Sequence, residues 1–234
     1  MSQDQHFMID KEVLEEIAEA ADLLGTDRIL EIGAGHGELT RKLCKKAYTV
    51  AVELDSELVK AFPELENLKL VKGNVLQVWK DHLFNKVVGN IPYAISEPLL
   101  WLILKKPLER VVLVLGKDFS DILLSDSKLG VLAREFYEVE VVRKIPKKAF
   151  FPAPSVDSVL ILMKPKKAEN ILLRELVLQS DKKIKNALET VLERKTTKRE
   201  LKEKVQVLGK IVDKGITQLS NEEFAELLKF LTNL

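Results

Sequence analysis

The stretch from Arg28 to Glu38 constrains this chain more than any other. Arg28–Ile32 is a short apolar strand, Gly33-Ala34-Gly35-His36-Gly37 is a turn, and a helix is expected from Glu38 to about Lys46. Strand, glycine turn and helix in that order form a nucleotide-binding unit. Glycines serve there because a Cβ would collide with a closely approaching ligand. The chain is therefore expected to hold an open α/β sheet, with its ligands at the carboxyl ends of the strands.

The next strand, Tyr48–Val52, ends on Glu53, 20 residues after Gly33. An acid at that position can accept both hydroxyls of a ribose. The choice of nucleoside ligand follows from charge. A dinucleotide fingerprint wants glycine three residues after Gly35, and Glu38 stands there; Glu31 adds a second carboxylate just before the turn. Two acids beside a pyrophosphate are unfavourable, whereas beside the sulfonium and amino acid of S-adenosylmethionine they are favourable or neutral. That cofactor is preferred over NAD, and no P-loop Gly-Lys-Ser/Thr is present. Asn74, after the strand Leu68–Lys72, can offer its carbonyl oxygen to the cofactor's adenine amine, or serve only as a turn residue.

A fourth apolar run, Phe84–Gly89, leads into Asn90-Ile91-Pro92-Tyr93. The asparagine oxygen and a neighbouring carbonyl can take both hydrogens of an exocyclic amine, and Tyr93 offers a π-face to a planar base. The implied target is an aromatic amine such as adenine N6. Further on, Ser96 starts a helix to about Lys105, Arg110–Leu115 is a strand, Lys117–Leu124 and Leu129–Tyr137 are helices, and Val139–Ile145 is a strand. The loop Ala149–Ser158 is stiffened by Pro152 and Pro154 and enters a last strand, Val159–Met163. Phe150 in this loop either stacks on an extruded base or packs in the core.

Beyond Lys164-Pro165-Lys166-Lys167 the patterns are helical: Ile171–Leu192 as one or two helices, Lys198–Ile211, and Glu222–Leu231 with a capping box at Ser220 and Glu223. The 234 residues thus divide at 165/166 into an α/β domain, 1–165, and a small helical domain, 166–234. Charge is uneven: residues 1–70 carry 15 acids and 8 bases, residues 143–210 carry 18 bases and 8 acids. The second stretch suits a polyanion or a solvated lysine-rich surface. No run is long enough to span a membrane, and the polar N-terminus lacks a signal pattern. The lone Cys44 falls in a helical pattern as a buried small hydrophobe. A cytoplasmic protein with no membrane partner and no metal site is expected.

Taken together, these motifs resemble the adenine-N6 dimethyltransferases of small-subunit ribosomal RNA, the KsgA family, over residues 3–163. The likeness rests on Gln5-His6-Phe7-Met8 with Asp10, Glu31 through Thr40, Val52-Glu53-Leu54-Asp55, Gly89 through Leu99, and Phe150 through Ser158. It implies a Rossmann-like class I methyltransferase fold: a seven-stranded, mostly parallel sheet whose last strand is antiparallel, plus an all-helical C-terminal domain contacting RNA. It also implies that Gln5, Met8, Gly33, Gly35, Glu53, Asn74 and Asn90 contact S-adenosylmethionine. Asn90, Tyr93 and Phe150 would hold the target adenine, and the partner would be small-subunit ribosomal RNA bound by a monomer. The family usually has aspartate where Asn74 stands. Two neighbouring readings share the motifs: a large-subunit rRNA adenine methyltransferase, against which Pro98-Leu99-Leu100 leans, and a ribosome-assembly factor with secondary or lost catalysis.

Overall fold

Short apolar runs, each followed by a helical pattern, can bury both faces of a strand only by forming a parallel sheet with helices on its sides. The computed structural model describes residues 5–167, 170–192 and 205–234. The central sheet is built from β2 (Arg28–Ile32), β3 (Tyr48–Glu53), β4 (Leu68–Lys72), β5 (Lys86–Asn90), β6 (Arg110–Gly116), β7 (Tyr137–Ile145) and β9 (Ser158–Pro165). Its order is β4-β3-β2-β5-β6-β9-β7. Neighbours from β4 to β6 pair parallel, and β9 runs antiparallel to both β6 and β7. This is the expected seven-stranded, Rossmann-like architecture.

Register decides where the site forms. Ile32 stands opposite Val52 and Gly89. The residues that follow, Gly33, Glu53 and Asn90, therefore emerge side by side at the carboxyl edge. At the other edge a buried Lys86–Asp27 pair, 2.7 Å apart, ties the start of β5 to the loop before β2. Asn85 Nδ2 and Leu24 N also donate to Asp27, at 2.8 and 2.7 Å, so the buried carboxylate is well satisfied.

Helix α1 (Lys11–Ala20) starts where Asp10 caps it, accepting from Glu12 N and Val13 N. Its buried face is Val13, Leu14, Ile17 and Ala18, at helical spacing. Helix α2 is shorter than expected, Thr40–Cys44, because the glycine turn closes on itself through Gly37 N to Ala34 O before the helix begins. The other helices of this unit are α3 (Ser56–Lys60), α4 (Val75–Val78), α5 (Ser96–Leu104) and α6 (Lys117–Leu124). Cys44 is buried, as expected.

One pairing was not expected. The arm and the proline loop each contribute a two-residue strand, β1 (Phe7–Met8) and β8 (Phe150–Phe151), which pair antiparallel.

By contacts, Met1–Leu124 with Tyr137–Pro165 forms one compact unit, and Ser125–Phe136 with Lys166–Leu234 forms a second. A single cut at 165/166 would have left α7 (Lys128–Phe136) in the first. The second unit also holds α8 (Ile171–Leu178), α9 (Ile184–Leu192) and α10 (Asn221–Thr232). Its core includes Leu173, Leu176, Leu188, Phe224 and Leu227, and the Arg174 guanidinium lies 4.1 Å from the centre of the Phe136 ring. Ser220 and Glu223 form the expected capping box on α10. The helix expected over Lys198–Ile211 lies partly outside the described residues; Gln206–Asp213 forms 3-10 turns broken at Gly209. Among the described residues no helix is long and apolar enough to cross a membrane.

Glu31 on β2 is fully buried, and neither carboxylate oxygen has a hydrogen-bond partner. Burial pushes its carboxyl from 4.5 up to about 8, and the Glu53 charge adds to the rise. Between those two values the folded chain holds a proton that the unfolded chain releases, so this group's contribution to stability falls as pH rises through the window. Glu31→Gln removes that dependence. Urea unfolding should show the variant's midpoint gaining on the parent's from about pH 5 to about pH 8, and parallel profiles would contradict the assignment.

Candidate active site

The glycine turn is shaped by backbone that only glycine adopts readily. Gly33 and Gly35 have φ of +74° and +56°. A Cβ on Gly33 would lie 3.2 Å from the Asn90 carbonyl oxygen, and one on Gly35 would lie 3.1 Å from Phe7 Cδ1. The turn is thus in close contact with the Asn90 segment on one side and the N-terminal arm on the other.

Glu53 holds this turn in place. One carboxylate oxygen accepts from Gly35 N at 2.8 Å; the other accepts from Leu54 N at 2.8 Å and Asp55 N at 2.9 Å. A carboxylate offers about four acceptor positions, so about one remains. The expectation that Glu53 takes both ribose hydroxyls is reduced accordingly: backbone amides of the two turns already fill most of its capacity. Asn74 is the N-cap of α4, with Oδ1 accepting from Leu76 N at 3.0 Å, and one lone pair stays open.

Asn90 ends β5, and its Nδ2 donates to the His6 carbonyl at 3.0 Å. A carbonyl only accepts, so the amide nitrogen must face it and Oδ1 is turned the other way. Among the described residues nothing donates to that oxygen. Pro92's carbonyl already accepts from Ile95 N at 3.1 Å and keeps one lone pair, so that of Ile91 is the freer second acceptor. Tyr93 is 41% exposed, and its hydroxyl lies 3.3 Å from Ser158 Oγ. Its ring rests over Gly116, where a Cβ would come within 2.8 Å of Tyr93 Cε1. Gly116 and Ser158 are paired across β6 and β9, so one rung of the sheet seats the tyrosine.

The arm joins these parts. Gln5 Nε2 donates to Asp55 Oδ2 at 3.0 Å and holds that carboxyl below its usual range. His6 Nδ1 donates to the Pro152 carbonyl at 2.9 Å, and Phe7 packs on His36 with ring centres 4.5 Å apart.

Two expected site residues turn elsewhere. Met8 and Phe150 are 7% and 4% exposed and pack in the core with Val13, Leu14 and Ile17. Alternation along the paired strands sends both side chains to the core face and Phe7 and Phe151 to the other. Phe150 therefore does not present a stacking face. His6, Gly116 and Ser158 were not singled out in the sequence: His6 acts partly through its backbone, and the other two matter only through Tyr93.

The open acceptors, about one on Glu53, one on Asn74 and Oδ1 of Asn90, suit hydroxyls, an amine and an ammonium group. The glycine cradle also fits S-adenosylmethionine. Among the described residues no group of His, Cys, Asp and Glu is arranged to hold a metal ion.

The sequence profile described as ribosomal RNA adenine dimethylase matches residues 1–232. A probable ribosomal RNA small subunit methyltransferase A of Thermococcus sibiricus is 33% identical over 258 aligned residues, covering 98% of this chain and 90% of that protein. Its namesake in Pyrococcus abyssi is 37% identical over 174 residues, covering 70% of this chain and 64% of the relative. Against that relative the aligned part thus spans less than two thirds of its length. Among solved structures, a dimethyladenosine transferase from Plasmodium falciparum superposes with a TM-score of 0.68 at 24% identity, covering 97% of this chain and 98% of that one. The 23S rRNA methyltransferase ErmE gives 0.66 at 24% identity, with 97% and 99% covered. These two similarities establish the shared fold. With the profile running through both units and relatives above 30% identity, the chain belongs to the ribosomal RNA adenine dimethylase family.

Proposed function

We propose that this chain dimethylates adenine N6 in small-subunit ribosomal RNA, with S-adenosylmethionine as methyl donor, acting as a cytoplasmic monomer during ribosome biogenesis. The observation that carries the reading is the Asn90 amide: its nitrogen is tied to His6, its oxygen is open, and its main chain lies against the glycine turn. The names of the relatives support the small subunit as the target.

The cofactor supplies an electrophilic methyl on a sulfonium. Gly33, Gly35, Glu53, Asn74 and Gln5 through Met8 line its place, Met8 through its backbone. The chain's task is to make a poor nucleophile reactive, because the N6 lone pair is delocalised into the ring. Asn90 Oδ1 accepts one N6 hydrogen and the Ile91 carbonyl the other. Both acceptors favour a pyramidal nitrogen and stabilise the positive charge that develops there. Tyr93 stacks on one face of the extruded base. The cationic product is acidic and loses its proton without a strong base. For the second methyl, N6 turns with one methyl attached, and the small, exposed Ala94 leaves room beside Tyr93. Lys182 and Lys183 are exposed on the second unit and suit RNA phosphates, whereas Lys185 is paired with Asp213.

Purified protein with labelled cofactor and small subunits lacking adenine dimethylation should yield N6,N6-dimethyladenosine, with large subunits unlabelled. Label on large subunits would favour the rival substrate, and binding without transfer would favour an assembly factor. Asn90→Ala should lower turnover by about 100- to 1,000-fold, the usual effect of losing one preorganised polar contact; near-normal turnover would remove Asn90 from its role. Gly116→Ala should displace the Tyr93 ring and cut methyl transfer while cofactor affinity, read by calorimetry, holds; equal loss of both would point to misfolding instead.

A further inference from the structure

The β1–β8 ribbon has two faces, and only one is used by the core. Phe150 is 4% exposed, but its neighbour Phe151 is 71% exposed. A large aromatic side chain this open needs a reason, because its burial would be favourable. Nor is it a floppy loop residue. Its backbone pairs with Phe7, and in an antiparallel ladder directly opposed residues share a face. Phe7 on that face lies against Gly35 and His36 of the glycine turn. The next residue, Pro152, fixes the His6 ring through its carbonyl, and the centre of that ring is 6.4 Å from the centre of Tyr93's. Phe151 is thus fixed on the same ribbon as the arm residues that reach the site, next in sequence to the proline that holds His6, on an element it cannot leave without breaking the pairing.

The surroundings define what would cover it. Lys147 and Lys148, four and three residues before it, are exposed, and Lys144 is exposed on β7. Exposed ammonium groups close in sequence to a rigid aromatic face match a phosphodiester chain with an unpaired base: cations take phosphates and the ring takes a base of any sequence. Since Tyr93 lies beside the Asn90 acceptors, a base on Phe151 is a different nucleotide from the one modified.

We infer that Phe151 is the stacking platform for an unpaired nucleotide next to the target adenine, and so helps determine which RNA is selected. This rests on the proposed rRNA methylation. It goes beyond it by assigning to Phe151 a contact that the buried Phe150 cannot make.

The test compares the full-length parent with Phe151→Ala, Phe151→Trp and, as a control, Phe150→Ala. Unmethylated small subunits give KM and kcat for RNA. A hairpin RNA with 2-aminopurine beside a loop adenosine reports stacking by quenching, and calorimetry gives cofactor affinity. Phe151→Ala should raise the RNA KM about 5- to 150-fold, the range for loss of one base–aromatic stack, and abolish quenching. Its kcat and cofactor affinity should stay at the parent's values, and Phe151→Trp should restore KM and quenching. Unchanged KM and quenching in Phe151→Ala, or a fall in kcat alone, would overturn the inference while leaving the function intact. A parent protein that does not methylate the subunits would overturn both.

Discussion

The pairing of Phe7–Met8 with Phe150–Phe151 is the contact on which the site depends. It is two residues long on each side, yet it pins the N-terminal arm across the carboxyl edge of the sheet. From that position Gln5 reaches Asp55 after β3, the His6 carbonyl orients the Asn90 amide after β5, and Phe7 rests on the glycine turn after β2. So short a ladder would not persist alone. It persists because Met8 and Phe150, on its inner face, are part of the same core as α1. Packing on one face therefore sets the polar geometry on the other.

Electrostatics reinforce the arrangement. The carboxyl ends of β2, β3 and β5 collect Glu31, Glu53 and Asn90. Glu53 satisfies backbone amides and fixes the turn, whereas Glu31 is buried without partners and is driven toward its neutral form. The acceptor positions left on Glu53, Asn74 and Asn90 are of the kind a cationic ligand or an amine satisfies. The tyrosine is seated by the sheet itself, through Gly116 below the ring and Ser158 at the hydroxyl, so its exposed ring inherits the rigidity of β6 and β9.

Much of this was legible in the sequence. Apolar runs bounded by turn residues located every strand of the large sheet, and glycine spacing with Glu53 located the nucleotide unit. Asp10 and Ser220 announced their helices because a cap is a local hydrogen bond between near neighbours. The helix α2 was overextended because sequence spacing does not reveal how the glycine turn bonds to itself. The β1–β8 ribbon left no signal of its own: two-residue strands lie below any period that can be counted, and their partners are more than a hundred residues apart.

The sequence by itself determined the α/β class, the order of the elements and the residue types at each strand's end. Those depend on local period and on which backbone can turn without a Cβ. Only the tertiary structure decided which face each residue of the ribbon presents. It placed Phe150 inside and Phe151 outside, turned Met8 to the core, and gave His6 its hold on Asn90. The physical reason is register: a pairing shifted by one residue exchanges the two faces, and register between distant segments is set by the core they close over.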